Sequence, residues 1–203
     1  MQTNQSLVDY LVRSGVIRSS LVREAFLAVD RALFVPERLS AHAYLDRPLP
    51  IGEEQTISQP SVVALMLEEL SVQQGMRVLD VGCGSGWTTA LLAHLVGSSG
   101  EVLGVERVEC LVSFARRNVS RVGVRAQIHL AGDHLGLPGR APFDRVLVSA
   151  AATRVPESLV DQLVSGGLMV LPVRSALLTV KRSEEGFLVV REQDGFRFVP
   201  LIE

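Results

Sequence analysis

The sequence predicts an α/β protein: a doubly wound, seven-stranded, mostly parallel sheet with a C-terminal antiparallel hairpin and an N-terminal helical addition. Three observations carry this. From residue 76 onward, short strands that are apolar on both faces alternate with helical stretches, the pattern of a covered parallel sheet. A glycine-rich turn with Gly82, Gly84 and Gly86 directly follows the first of these strands. Near the end, "ALLTVKR", "SEEG" and "FLVVREQ" read as strand, turn and strand without a helix between them, which sets one antiparallel strand into the sheet.

The elements follow in order. Residues 6–14 and 19–33 read as helices, the second capped by Ser19 or Ser20. "FVPERLSAHAYLDRPLPIG" carries prolines at 36, 48 and 50 and reads as irregular or extended. Residues 60–70 form an amphipathic helix with Pro60 in its first turn. Strands are expected at 76–82, 100–106, 125–131, 143–150 and 167–173, and helices at 87–96 and about 108–121. A further helix, "PESLVDQLV", opens with Pro156 and is ended by Gly166-Gly167. The chain is expected to be one domain over 1–203, with 1–59 an N-terminal helical extension and 60–203 the α/β core.

Composition excludes several classes. Apolar residues make up 47% of the 203, which rules against intrinsic disorder. No apolar run approaches the roughly 18 residues that span a bilayer, and the N-terminus lacks the layout of a secretion signal. Cys83 and Cys110 form no C-x-x-C, so a cytoplasmic setting is the expectation. The net charge of −2 and the lack of a basic stripe argue against a nucleic-acid partner; "ARRNVSR" at 115–121 reads as a solvated helix face. His42, His94 and His129 are scattered without metal-site spacing.

The glycine turn reads G-x-G-x-G, and position 87, next in line, is Trp. A dinucleotide fingerprint is G-x-G-x-x-G, so the spacing favours a ligand without a pyrophosphate. Asp80 lies two residues before the first glycine, Glu106 ends the second strand 20 residues after Gly86, and Asp133 follows the third strand. Taken singly, each acid is as readily a helix cap or an exposed loop residue. Together they put three carboxylates at three successive strand ends, where Glu106 is placed to accept both hydrogen bonds of a ribose diol. S-Adenosylmethionine has an adenosine, an ammonium and a sulfonium but no phosphate. The dipole of the following helix would repel its ammonium, which Asp80 would offset. The expected cofactor is therefore this methyl donor, leaving as S-adenosylhomocysteine.

"FVPERLSAHAYLDRPLPIGEEQTISQPSVVALMLEEL", "RVLDVGCGSGWTTALLAHL", "APFDRVLVSAAATRVPESLVDQLVSGGLMVLPV" and "FRFVPL" together resemble protein-L-isoaspartate O-methyltransferases, from about residue 30 to 201. The resemblance implies an S-adenosylmethionine-dependent, Rossmann-like methyltransferase sheet with seven strands. It implies methyl transfer to the free α-carboxylate of L-isoaspartyl residues in damaged proteins and peptides, followed by succinimide formation and partial repair. It places Ser58 beside the reacting carboxylate as the catalytic residue, with Thr56 and Ile57 in the same substrate wall and Val199 holding substrate through its backbone. Asp80, Gly82, Gly84, Ser85, Gly86, Glu106 and Asp133 form the expected cofactor site.

The mildness of "QTIS" suits that chemistry. A carboxylate with a pKa of about 4 is already ionised at pH 7 and needs no general base. What remains is to desolvate and align it, and a neutral hydroxyl orients a carboxylate without protonating it.

Departures from the family are few. Gly132-Asp133-His134 stands where Gly-Asp-Gly is common; His134 either alters the loop over the adenine or points to solvent. Arg174 stands where glycine is usual and reads either as a peptide-binding cation or as an exposed strand-end residue. Val63 replaces a histidine of some members. Cys83 is expected to face the sheet as a small apolar group, and Ser149 and Thr153 either line the substrate side or start a helix. Two alternatives stay open: a carboxyl methyltransferase for an aspartate of one dedicated peptide, and a catalytically silent S-adenosylmethionine binder. A monomer or weak dimer is expected.

Overall fold

The computed structural model describes residues 3–202. Two helices lead, α1 (Asn4–Arg13) and α2 (Ser20–Ala28). Thr3 and Ser6 form a reciprocal capping box at α1: the Thr3 hydroxyl accepts from the Ser6 N–H at 3.1 Å and the Ser6 hydroxyl from the Thr3 N–H at 2.8 Å. The Ser19 hydroxyl caps α2 by accepting from the Val22 N–H. The expected helix over 19–33 is divided, because the Asp30 carboxylate accepts from the Ala32 N–H and starts a separate 3-10 turn, Arg31–Phe34. The stretch read as irregular holds a second 3-10 turn, Glu37–His42, and then a small hairpin, β1 (Leu49–Gly52) with β2 (Gln55–Ile57).

Helix α3 (Pro60–Leu70) has Pro60 in its first turn and no cap from Gln59; Asp46 reaches in instead and accepts from the Ser61 N–H at 2.8 Å. The alternation then runs β3 (Arg77–Val81), α4 (Trp87–Val96), β4 (Glu101–Glu106), α5 (Glu109–Val122), β5 (Gln127–Leu130) and β6 (Phe143–Val148). It continues through α6 (Glu157–Val160) to β7 (Leu163–Val173), β8 (Ala176–Ser183) and β9 (Gly186–Asp194). The sheet order is β5-β4-β3-β6-β7-β8-β9. The first five of these strands are parallel, and β8 alone runs against its neighbours. The seven strands and the terminal hairpin are those expected from the sequence.

Alternation along the strands loads both faces. Val78, Val102, Leu147 and Val170 pack with α1 to α4, whereas Leu79, Val81, Leu103, Val105, Val146, Val148 and Leu171 form a second core with α6 residues Leu159 and Val160. Helix α5 buries Leu111, Val112, Ala115 and Val119 and turns Arg116, Arg117 and Arg121 to solvent. Among the described residues no helix is long and apolar enough to cross a membrane.

The expected helix over 156–164 is the main correction. It stops at Val160, and β7 begins at Leu163, so Gly166 and Gly167 lie inside a strand. The competing bonds explain this. The Gln162 carbonyl accepts from the Phe143 N–H at 2.8 Å, starting the sheet pairing. Its buried side-chain amide donates to the Ser158 and Leu135 carbonyls and accepts from the Leu137 N–H, all at 2.8 Å. Sheet pairing and a satisfied buried amide outweigh another helical turn.

Candidate active site

The chain passes from β3 outward to β4 and β5 and returns to β6 on the other side of β3, so the strand order reverses at β3. At the carboxyl ends of these strands lies a cavity of about 570 Å³, where doubly wound sheets hold ligands. Its walls come from residues following β3, β4, β5 and β6, from the β1–β2 hairpin, and from 199–202.

Gly82, Gly84 and Gly86 have φ of 75°, 54° and 85°, the left-handed region that glycine enters freely. Gly86 caps α4, and a Cβ there would meet Val119 and Ala115 at 3.1 and 3.2 Å. Gly82, Gly84 and Ser85 line the cavity; Gly86 lies behind it, in the packing between loop and α5.

Glu106 also lines the cavity, only 6% exposed. Its Oε1 accepts from the Arg107 and Val108 N–H groups at 2.7 and 3.0 Å, and its Oε2 from the Gly84 N–H at 2.9 Å. A carboxylate has about four acceptor positions, so one, on Oε2, is left for a ligand. Glu106 thus holds the glycine turn as well as facing the cavity, and it has less free capacity than a full diol would use. Asp133 lines the cavity and is exposed.

Asp80 departs from its expected place. It is fully buried and outside the cavity lining; its Oδ2 accepts from the Thr88 and Thr89 hydroxyls at 2.7 and 2.6 Å. Burial pushes its pKa up to about 6, the two threonine hydrogen bonds oppose the rise and nearby Glu106 adds to it. Asp80 Oδ1 has no partner among the described residues. The Thr88-Thr89 pair just after the glycine turn is the readable signal that Asp80 would be engaged from the helix. Burial also pushes the Cys83 thiol up, and Cys83 packs with Val112, Ala115 and Ile128 while one side touches the cavity.

Thr56, Ile57 and Ser58 line the opposite wall. Ile57 is buried and Thr56 exposed, as alternation in β2 requires. The Ser58 hydroxyl has no hydrogen-bond partner among the described residues, whereas its carbonyl accepts from Arg31 at 3.0 Å. Val199 also lines the cavity; its carbonyl accepts from the Ala151 N–H at 2.7 Å, and its own N–H has no backbone partner among the described residues. Leu201 N–H donates to the Ala151 carbonyl at 2.8 Å, fastening the C-terminal segment beside β6. Pro200 to Ile202 and Ser149-Ala150 complete this end, and Thr153 is exposed.

His134 both lines the cavity and is exposed, and its φ is not positive, so a side chain sits there without backbone strain. Arg174 is exposed and outside the lining. Val63 is a core residue, 1% exposed. Sequence reasoning missed Arg31, Thr88, Thr89, Asp46 and Gln162, all of which hold backbone or side chains around the cavity.

Among charged lining residues Glu53, Glu106 and Asp133 outnumber the single guanidinium of Arg107. That acceptor-rich, net negative lining fits a cationic nucleoside better than a pyrophosphate.

Comparison with solved structures gives the class. The fold is the α/β methyltransferase fold: it matches the PCMT of Plasmodium falciparum in complex with S-adenosyl-L-homocysteine at a TM-score of 0.88, with 28% identity over 100% of this chain and 99% of that one. A second protein-L-isoaspartate O-methyltransferase structure matches at 0.87 with 29% identity, over 98% of this chain and 66% of that one. The family model for Protein-L-isoaspartate(D-aspartate) O-methyltransferase (PCMT) matches residues 1–203, and this chain belongs to that family. It is 45% identical to the protein-L-isoaspartate O-methyltransferase of Pyrococcus abyssi over 96% of this chain and 92% of that one. The figures for the Methanopyrus kandleri protein are 46%, 99% and 92%.

Proposed function

We propose that this protein transfers a methyl group from S-adenosylmethionine to the free α-carboxylate of L-isoaspartyl residues, beginning their repair through a succinimide. The observation that carries the reading is the pairing, across one cavity, of an acid-lined glycine turn with a wall of mild hydroxyls at Thr56 and Ser58. Family membership supports the same reaction.

When bound, S-adenosylmethionine supplies an electrophilic methyl on a sulfonium leaving group. The Gly82–Ser85 turn, Glu106 and Asp133 are assigned to hold it, with Asp80 acting from behind through Thr88 and Thr89. The Ser58 hydroxyl donates to the substrate carboxylate and fixes its direction, Thr56 and Ile57 form the wall, and the Val199 N–H holds the peptide backbone. No proton transfer is required, since the nucleophile is ionised at neutral pH. Recognition through a backbone N–H and the displaced carboxylate suits many flanking sequences rather than one dedicated peptide.

The test uses methyl-labelled S-adenosylmethionine and one peptide carrying L-isoaspartate or L-aspartate at a single position. Label enters only the isoaspartyl form, and peptides with varied flanks differ little. Ser58→Ala lowers kcat/KM roughly tenfold to a hundredfold, the loss of one hydrogen bond to a charged group. Equal labelling of both forms, or full activity in Ser58→Ala, defeats the reading.

A further inference from the structure

Arg31 is fully buried, and its hydrogen bonds go to carbonyls rather than to a carboxylate, with Asp46 acting on its charge only through space. Nη1 donates to the Ala43 and Leu45 carbonyls at 2.6 and 3.3 Å, and Nη2 to the Arg47 and Ser58 carbonyls, both at 3.0 Å. Nε has no partner among the described residues. The guanidinium lies over the ring of Trp87, 5.2 Å from its centroid, and Trp87 lines the cavity. The acid in that loop, Asp46, is committed elsewhere: it accepts from the Ser61 N–H at 2.8 Å and the Gln59 amide at 3.2 Å.

A buried cation without an ion-pair partner is a poor choice if anchoring a loop were its whole purpose, since an apolar side chain packs there without the loss of hydration. The planar fork does what an apolar residue cannot, gathering carbonyls from the 43–47 loop and the peptide of Ser58 in one plane. Asp46 grips Gln59 and Ser61 from the same loop, so the chain is held at the Ser58 carbonyl and again just beyond it.

We propose that Arg31 is a positioning residue for methyl transfer. It fixes the Ser58 peptide, and hence the hydroxyl, against the cofactor end of the cavity. It also keeps a positive charge one carbonyl behind the substrate carboxylate, which favours that anion without pairing with it. The inference rests on the assignment of Ser58 given above.

The test compares Arg31→Lys, which keeps the charge but not the fork, with Arg31→Met, which removes both. Expected for Arg31→Lys is a kcat lower by roughly tenfold to a hundredfold, the effect of a small misplacement, with the Kd for S-adenosylhomocysteine within about twofold of wild type. Arg31→Met additionally raises the KM for the isoaspartyl peptide. In a Ser58→Ala background the kcat effect of Arg31→Lys shrinks to near onefold, because the group being positioned is gone. Amide hydrogen exchange, which needs no turnover, quickens at 55–59 in Arg31→Lys but not at 77–86.

Unchanged kcat and KM at a temperature where the variant is folded, or an equal effect with and without Ser58, overturns the proposal and leaves Arg31 a structural anchor. So does unchanged exchange at 55–59. A wild-type protein that methylates no isoaspartyl peptide defeats the functional reading instead, and the exchange result still decides whether Arg31 positions Ser58. Should Arg31→Met not fold, Arg31→Lys carries the test.

Discussion

Asp80 has given up its water for two threonine hydroxyls, and the exchange is incomplete: among the described residues Oδ2 takes both donors and Oδ1 takes none. Its folded pKa of about 6 therefore lies above the unfolded value near 4. The native state binds the proton more tightly, so the contribution is complete below about pH 4 and is lost as pH rises through about 6. At about 1.36 kcal/mol per pKa unit, roughly 3 kcal/mol is involved. Denaturant unfolding at several pH values should show stability falling across this window, less steeply in Asp80→Asn. Parallel curves for the two proteins would mean that Asp80 titrates alike in both states. The sequence located this acid at a strand end but not its depth. Whether a strand-end carboxylate meets ligand or helix depends on the next helix's first turn, and Thr88-Thr89 decided it here.

Among the elements, the β7–β8 hairpin shows local chemistry at odds with its geometry. Only Arg174 and Ser175 connect the paired residues Val173 and Ala176, and Arg174 has φ of 54°. A Cβ is unfavourable in that region. Arg174→Gly should therefore stabilise the protein by about 1 kcal/mol and raise Tm by about 2–4 °C, with a thermal scan as the check; a lower Tm would show that the arginine stem gains more from its surroundings. Helices α3 and α4 were fully legible, as was α5 to within a residue, because their punctuation is local: Pro60 opening one, Gly86 before the next, Gly123 after the third. The helix expected over 156–164 was not, since Gly166-Gly167 is helix-ending chemistry in sequence, and only the pairing of Leu163 and Leu168 with β6, across a register shift that holds the two glycines, reveals the stretch as strand.

Across the whole molecule the cavity joins residues near 55 to residues near 200 through four strand ends. A ligand that binds only this assembled state should stabilise all of it. At one hundred times its Kd, S-adenosylhomocysteine is expected to add about 2.7 kcal/mol, read as a rise of several degrees in Tm; no shift at that concentration would place the cofactor elsewhere. The sequence made the acids and glycines of the strand ends legible because strand order alone brings them to one edge. Arg31 was illegible, because its four carbonyl partners are brought together only by tertiary folding.

The segment fastened beside β6 by Ala151 has a consequence for biosynthesis. During translation the glycine turn and its acids emerge long before Val199 leaves the exit tunnel. A nascent chain can therefore complete the glycine-turn side of the cavity while the side built from 199–202 is still open. Residues 199–202 close that side of the cavity, so a chain truncated just short of Val199 would keep the glycine turn and its acids while lacking this wall.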